Sequence, residues 1–274
     1  MPYIPEIIRA GTWRPYFGII QDMMFRNRFR LGDLFGIPIY VDISFAFLLL
    51  IFLINGATFS DGVTQAVLLA LSVILHELGH SLTARAFGYR TNDITISLLG
   101  GCASLIALPR KAWQELLTAI AGPLVSFALS AISFFALLFL PIENEWLYLS
   151  LVYMMWLNLM LGGFNLLPGF PMDGGRIFRS VLRAFLSRPK ATFVAMWVGR
   201  GFAILLGLSG LYAIFNGQGW GFVRVMIAYM IWTEGYREYQ LALMESSWEY
   251  HDYRARVSPP PYGGDGDDVD VTRG

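Results

Sequence analysis

Charge and cysteine are what this chain has least of. Charged side chains make up 15% of its 274 residues and hydrophobic ones 55%, whereas about a quarter of a soluble domain is charged. That shortage excludes an ordinary soluble globule and points to an integral membrane protein. Lys+Arg and Asp+Glu cancel to a net charge of +0, so there is no electrostatic case for nucleic acid as a partner. The single cysteine, Cys102, excludes an intramolecular disulfide framework and any cysteine-based zinc cluster. It reads as a small apolar packing residue. The N-terminus also lacks a compact apolar core followed by a small-residue cleavage site. Arg9, Arg14, Arg26, Arg28 and Arg30 are spread along it instead, unlike a cleaved signal peptide.

What the chain does have is long apolar runs. Six stretches, near 41–57, 64–84, 115–140, 146–167, 192–215 and 220–236, approach or exceed the ~17–20 residues a helix needs to cross a bilayer. The connectors are polar or rich in glycine and proline. In a six-span arrangement, eighteen of the 20 Lys+Arg fall on one side, and by the positive-inside rule both termini are cytoplasmic. The exceptions are Arg224, placed to snorkel outward, and Arg200, inside the fifth stretch. Arg200 reads either as a packing charge with a polar partner or as part of a substrate path. Between the second and third stretches, Ile94-Thr95-Ile96-Ser97-Leu98 alternates apolar and hydroxyl side chains before Gly100-Gly101. This is a strand pattern, either one wall of an intramembrane site or a short cytoplasmic hairpin. The expected fold is therefore an all-α polytopic membrane protein of six transmembrane helices, with a short membrane-associated β segment near 94–106. Residues 1–36, aromatic and basic, form a cytoplasmic or interfacial segment or a loosely ordered tail. Residues 37–236 form the core, and 237–274 a cytoplasmic tail, partly disordered, in which His251 is a surface residue.

The second stretch contains His76-Glu77-Leu78-Gly79-His80. Imidazoles four residues apart lie one turn from each other on a helix, and Glu77, three before His80, reaches the same face. In this H-E-x-x-H spacing the histidines hold one Zn²⁺ and the glutamate handles the proton of the attacking water. A catalytic zinc commonly takes a third protein ligand, and the remaining sequence offers few. Asp173 follows Phe164-Asn165-Leu166-Leu167-Pro168-Gly169-Phe170-Pro171-Met172 and precedes Gly174-Gly175, where the prolines stop a regular helix and the glycines permit a tight backbone. At ~1.5 Å per residue the imidazoles lie 7–14 Å inside the boundary marked by Arg85. Asp173 arrives from that same side and meets them if the backbone after Asn165 folds back inward. The competing reading makes Asp173 the cap of a helix over 176–186.

Together, the His76–His80 motif in an apolar helix and the Asn165-Leu166-Leu167-Pro168-Gly169-Phe170-Pro171-Met172-Asp173-Gly174-Gly175 run resemble the site-2 proteases, intramembrane zinc metalloproteases. Ala121-Gly122-Pro123 and Gly100-Gly101 match habits of that family, and the resemblance covers roughly 37–236. It implies that His76, His80 and Asp173 bind one zinc ion and that Glu77 is the general base. It implies further that Asn165 holds the substrate backbone or oxyanion, and that the strand around Gly100 and Gly101 pairs with an unwound substrate. Met172 stands where the family usually has leucine, and no PDZ- or CBS-sized segment is present. The implied activity is hydrolysis of peptide bonds in or near transmembrane segments of membrane proteins, in the bilayer of the cell (inner) membrane. Two other readings are weighed against it. A metal or ion transporter would distribute ionisable groups through the membrane depth, and a non-catalytic scaffold would leave Glu77 unpaired in an apolar helix.

Overall fold

The computed structural model describes residues 28–43, 45, 50, 58–97, 100–105 and 111–257. The chain divides into two compact units: residues 1–167 with 172–177, and residues 168–171 with 178–274. The first unit begins with strands β1 (Arg28–Leu34) and β2 (Ile37–Asp42), followed by helix α1 (Phe59–Ala86). Strands β3 (Thr91–Ser97) and β4 (Gly100–Leu105) come next, then helices α2 (Ala112–Phe139) and α3 (Glu145–Asn165). Helix α4 (Asp173–Leu182) starts in this unit. Helices α5 (Arg188–Phe215) and α6 (Trp220–Val257) complete the chain.

Four of these helices, α1, α2, α3 and α5, are long and apolar enough to cross a membrane. The protein is a multi-pass integral membrane protein. The expected first span, 41–57, falls almost wholly outside the described residues. Over the expected sixth span the chain is helical, but Arg224 and Glu234 interrupt it, and α6 is not among the four. The same helix runs on to Val257, well into the region read from sequence as a tail. Residues 258–274 of that tail and residues 1–27 lie outside the described residues.

The expectation of an all-α protein needs one correction. In place of a single β segment there is a four-stranded sheet in the order β1-β2-β3-β4. β1 and β2 are antiparallel, β2 and β3 parallel, and β3 and β4 antiparallel. The stretch near 94–106 supplies its last two strands, and β1 begins inside the segment read as an interfacial tail. The parallel β2–β3 pair joins segments about fifty residues apart, which a local alternation pattern does not reveal. Residues two apart on a strand share a face, and with Ile39 opposite Ile94 Ile37 and Ile39 of β2 lie on the same face of the sheet as Ile94 and Ile96 of β3. All four are buried against Val73, Leu75 and Leu78 of α1. The sheet is thus held on the helix that carries the histidines. At the β1–β2 turn Phe35 has φ 53° and Gly36 φ 76°. This left-handed pair suits a two-residue hairpin, but a bulky side chain seldom adopts it.

Helix α1 starts with a capping box. Thr58 Oγ1 accepts from the Asp61 N–H at 3.1 Å, and the Asp61 carboxylate accepts from the Thr58 N–H at 3.0 Å. Its neighbours α2 and α3 approach through small and hydroxyl-bearing residues, as helices do where lipid supplies no hydrophobic drive. The inner face of α2 carries Thr118, Ala119, Gly122, Pro123, Ser126, Ser130 and Ser133. Between α1 and α3, Asn158 is fully buried, and its amide donates to Ser72 Oγ at 2.8 Å and to the Met154 carbonyl at 3.0 Å.

In the second unit α5 and α6 form an antiparallel pair joined through Asn216–Gly219. The pair closes tightly where Gly210 faces Gly221: a Cβ on either would lie 2.6–2.8 Å from the other's carbonyl oxygen. The Arg200 guanidinium lies 5.0, 4.5 and 5.8 Å from the rings of Trp197, Trp232 and Tyr236. Among the described residues its partners are these aromatic faces, which tie α5 to α6 as a packing charge would. Arg179 pairs with Glu238 at 2.9 Å and stacks over Phe170 at 4.9 Å.

The α1–α2 approach at Gly79 offers a stability test. A Cβ at Gly79 would lie 2.9 Å from both the Ala121 carbonyl oxygen and Val125 Cγ2, so Gly79→Ala must push the helices apart. The expected loss is about 1–3 kcal/mol, read as a lower thermal midpoint in detergent, with Gly163→Ala, whose Cβ meets nothing, as the unchanged control.

Candidate metal centre

Two imidazoles one turn apart need space on the facing helix, and Gly122 provides it. A Cβ there would lie 2.7 Å from His76 Nε2 and would collide outright with His80 Nε2 and Cε1. One turn to either side on the same face of α2 are Ser126 and Thr118, at the i±4 positions. Ser126 Oγ lies 2.9 Å from His76 Nδ1, and the Thr118 carbonyl accepts from His80 Nδ1 at 2.7 Å. A carbonyl can only accept, so His80 carries its proton on Nδ1 and, as a neutral ring, directs the Nε2 lone pair at the cluster. The serine hydroxyl can serve His76 in the same way.

Asp173 completes the group. Helix α3 ends at Asn165, where the Leu166 N–H bonds back to the Gly162 carbonyl. The chain reverses, and α4 begins at Asp173 with the Gly175 N–H bonded to the Met172 carbonyl. A Cβ at Gly174 would collide with the carbonyls of Leu166 and Leu167, so only glycine lets the start of α4 lie this close to the end of α3. This is the inward fold that the sequence required for Asp173 to meet the histidines. Asp173 Oδ2 lies 3.1 Å from Nε2 of both His76 and His80, and the two Nε2 atoms are 3.2 Å apart. All three residues are buried. Asp173 therefore occupies the first turn of α4, as the capping alternative supposed, while its carboxylate faces the imidazoles.

Three ligand atoms 3.1–3.2 Å apart suit one small cation. Bonds of 2.0–2.1 Å at tetrahedral angles separate ligand atoms by about 3.3 Å. The donor set of two imidazoles and a carboxylate also matches zinc chemistry, and within the described residues it is the group of His, Cys, Asp and Glu that could hold a metal.

The other predicted residues are placed less tightly. Glu77 is half-buried beside the pair and, among the described residues, makes no hydrogen bond. Asn165 Nδ2 donates to the Leu161 carbonyl of its own helix at 3.0 Å, so that bond does not reach the triad. Gly100 and Gly101 open β4 and align with Ser97 and Ile96 of β3. Among the described residues β4 pairs with β3 alone, so it is an edge strand. Ser126 and Thr118 were not singled out from sequence. The signal for Ser126 is a hydroxyl one turn from a helical glycine in an apolar run. Thr118 acts through its backbone, for which no residue type is a signal.

The profile of peptidase family M50 matches residues 64–145 and 142–208, which takes in α1 to α3 and most of α5. A zinc metalloprotease of Methanocaldococcus jannaschii is 33% identical over 235 residues, covering 85% of this chain and 66% of its own. Stage IV sporulation protein FB of Bacillus subtilis is 29% identical over 147 residues, covering 53% of this chain and 50% of its own. The chain thus spans two thirds or less of the length of these relatives. Among solved structures, the site-2 protease from Methanocaldococcus jannaschii superposes with a TM-score of 0.59 at 33% identity, over 77% of this chain and 95% of that one. With its histidine helix, its aspartate turn and this run of matched residues, the chain belongs to peptidase family M50, the site-2 protease family.

Proposed function

We propose that the protein is an intramembrane zinc metalloprotease that hydrolyses peptide bonds in or near transmembrane segments of membrane-protein substrates. The observation that carries this reading is the meeting of His76 Nε2, His80 Nε2 and Asp173 Oδ2 within 3.1–3.2 Å, with both histidines on a helix long and apolar enough to cross a membrane. His76, His80 and Asp173 are the ligands of one zinc ion. Bound zinc supplies a Lewis acid that acidifies water and polarises a carbonyl.

The chain's own residues do the remainder. Glu77 takes a proton from the attacking water as its oxygen bonds to the scissile carbonyl carbon. It then delivers that proton to the amide nitrogen as the C–N bond breaks, so that a carboxylic acid and an amine leave. Acid–base help of this kind contributes typically ~10²–10⁴-fold. Ser126 and the Thr118 carbonyl hold the imidazoles with Nε2 turned to the ion. A helical substrate hides its carbonyls in its own hydrogen bonds and must unwind first. The free edge of β4, opening with Gly100 and Gly101, supplies replacement bonds to the extended segment. Asn165 keeps a second N–H and a carbonyl oxygen, which serve the substrate backbone or the oxyanion.

Within this reading residues 37–236 are the protease core, the protein lies in the cell membrane with both termini cytoplasmic, and the histidines sit near the cytoplasmic boundary. The basic residues that cluster on one side of the spans support that orientation. A transporter fits less well, because the metal-binding side chains His76, His80 and Asp173 gather at one point rather than lining a path.

Two measurements test the mechanism. Glu77→Gln is expected to keep one zinc per chain by elemental analysis and to lose about 10²-fold or more of its cleavage of a model transmembrane substrate. Asp173→Ala is expected to lose the metal as well, and cleavage by E77Q at the wild-type rate would sink the general-base assignment. Ser126→Ala, which removes only the partner of His76 Nδ1, is expected to weaken zinc affinity about 10–100-fold with an unchanged thermal midpoint of the metal-free protein. Competition with a chelator measures this, and wild-type affinity in S126A would remove Ser126 from the site.

A further inference from the structure

Away from the metal centre, the last turn of α1 and the first residue of β3 meet the β1–β2 turn around a cleft of about 240 Å³. It is lined by Gly36, Ile37, Arg85, Arg90 and Thr91. Three features of this cleft have no role in the proposed chemistry. Arg85 and Arg90 share it, yet neither has a carboxylate partner among the described residues. The nearby acids are engaged elsewhere, Asp33 with Arg30 at 2.7 Å and Asp93 with Arg28 at 3.1 Å. The Thr91 hydroxyl is buried and, among the described residues, makes no hydrogen bond. The turn that forms one wall holds Phe35 at φ 53°, and the Phe35 carbonyl accepts from Arg85 Nη1 at 2.7 Å, which aims the rest of that guanidinium.

Two like charges in one cleft repel, and a buried polar group without a partner is rare in native proteins. An anion answers both. Two guanidinium forks and a hydroxyl offer more donors than the two oxygens of a carboxylate can accept, whereas a phosphate presents three or four. We infer that the Arg85–Arg90–Thr91 cleft is a binding site for a phosphate group. Arg85 closes a helix long and apolar enough to cross the membrane, which puts the cleft at headgroup level, where the phosphate of an anionic phospholipid and free phosphate both have access. The inference rests on the membrane-crossing character of α1 and not on the hydrolytic reading, so an inactive Glu77→Gln protein binds as the wild type does.

The test uses the full chain in detergent. Binding of phosphatidylglycerol, with phosphatidylcholine as the comparison, is read by native mass spectrometry, and binding of inorganic phosphate by ³¹P line broadening. Arg85→Gln/Arg90→Gln is expected to weaken binding about tenfold or more. Thr91→Val, which keeps both charges, is expected to weaken it by a smaller but measurable factor, and Arg224→Gln to leave it unchanged. A loss confined to the lipid arm identifies the headgroup as the source, and a loss confined to the inorganic arm identifies free phosphate. Binding of both probes at wild-type strength in R85Q/R90Q and T91V overturns the site. So does an equal loss in R224Q, because it marks a general charge effect. If the double variant does not fold, Thr91→Val alone decides.

Discussion

Three electron-pair donors held 3.1–3.2 Å apart in a buried pocket are the constraint on which the rest of this structure depends. Two imidazole nitrogens and a carboxylate oxygen at that spacing, out of reach of bulk water, repel one another lone pair to lone pair unless a cation or protons lie between them. The surrounding helices must therefore hold the rings rigidly against that repulsion. Nδ1 of each histidine is fixed to α2, by the Thr118 carbonyl and by Ser126, and the carboxylate is carried on the first residue of α4. No ligand sits on a free loop. Such anchoring is what a metal site requires if its geometry is to persist through turnover.

The packing around the triad follows from the same demand. Imidazoles facing a second helix at close range leave no room for a side chain opposite them, hence Gly122. Gly79 permits the same approach from the histidine helix. Hydroxyls replace bulk on the inner face of α2, where Ser130 donates to the Met155 carbonyl of α3 at 2.9 Å and Ser133 to the Leu129 carbonyl of its own helix at 2.9 Å. In lipid, apolar side chains give one helix little preference for another. Short residues and internal hydrogen bonds supply the specificity.

Much of this was legible because it is local. His76 and His80 four residues apart define a face, and the apolar runs around them define the helices α1, α2, α3 and α5. Asp173 was reachable because most other acidic residues lie in termini or loops, and because its prolines and glycines announce a reversal. What stayed hidden depends on distant pairing. Ile37-Pro38-Ile39-Tyr40-Val41 resembles the start of an apolar span as much as a strand. Its partner, Ile94-Thr95-Ile96, lies beyond an entire helix. Arg200 was read either as a packing charge with a polar partner or as part of a substrate path, whereas three aromatic rings from α5 and α6 lie against its guanidinium. The roles of Thr118 and Ser126 depend on how α2 is rotated against α1, and no single stretch of sequence encodes a rotation.

The sheet and the metal helix are joined by a very short segment, which has consequences for function. Helix α1 closes through Gly88, at φ 86°, with the Tyr89 N–H bonded to the Ala84 carbonyl, and β3 starts two residues later. Ile94 and Ile96 then pack back onto α1 beside Val73 and Leu78. The strand that pairs with β4 is therefore tied to the histidine helix at its end and along its length. Any motion of β3 against His76 and His80 must break either this packing or the helix terminus. A segment added to β4, as proposed above, would thus be positioned against the histidines through β3 and its packing on α1.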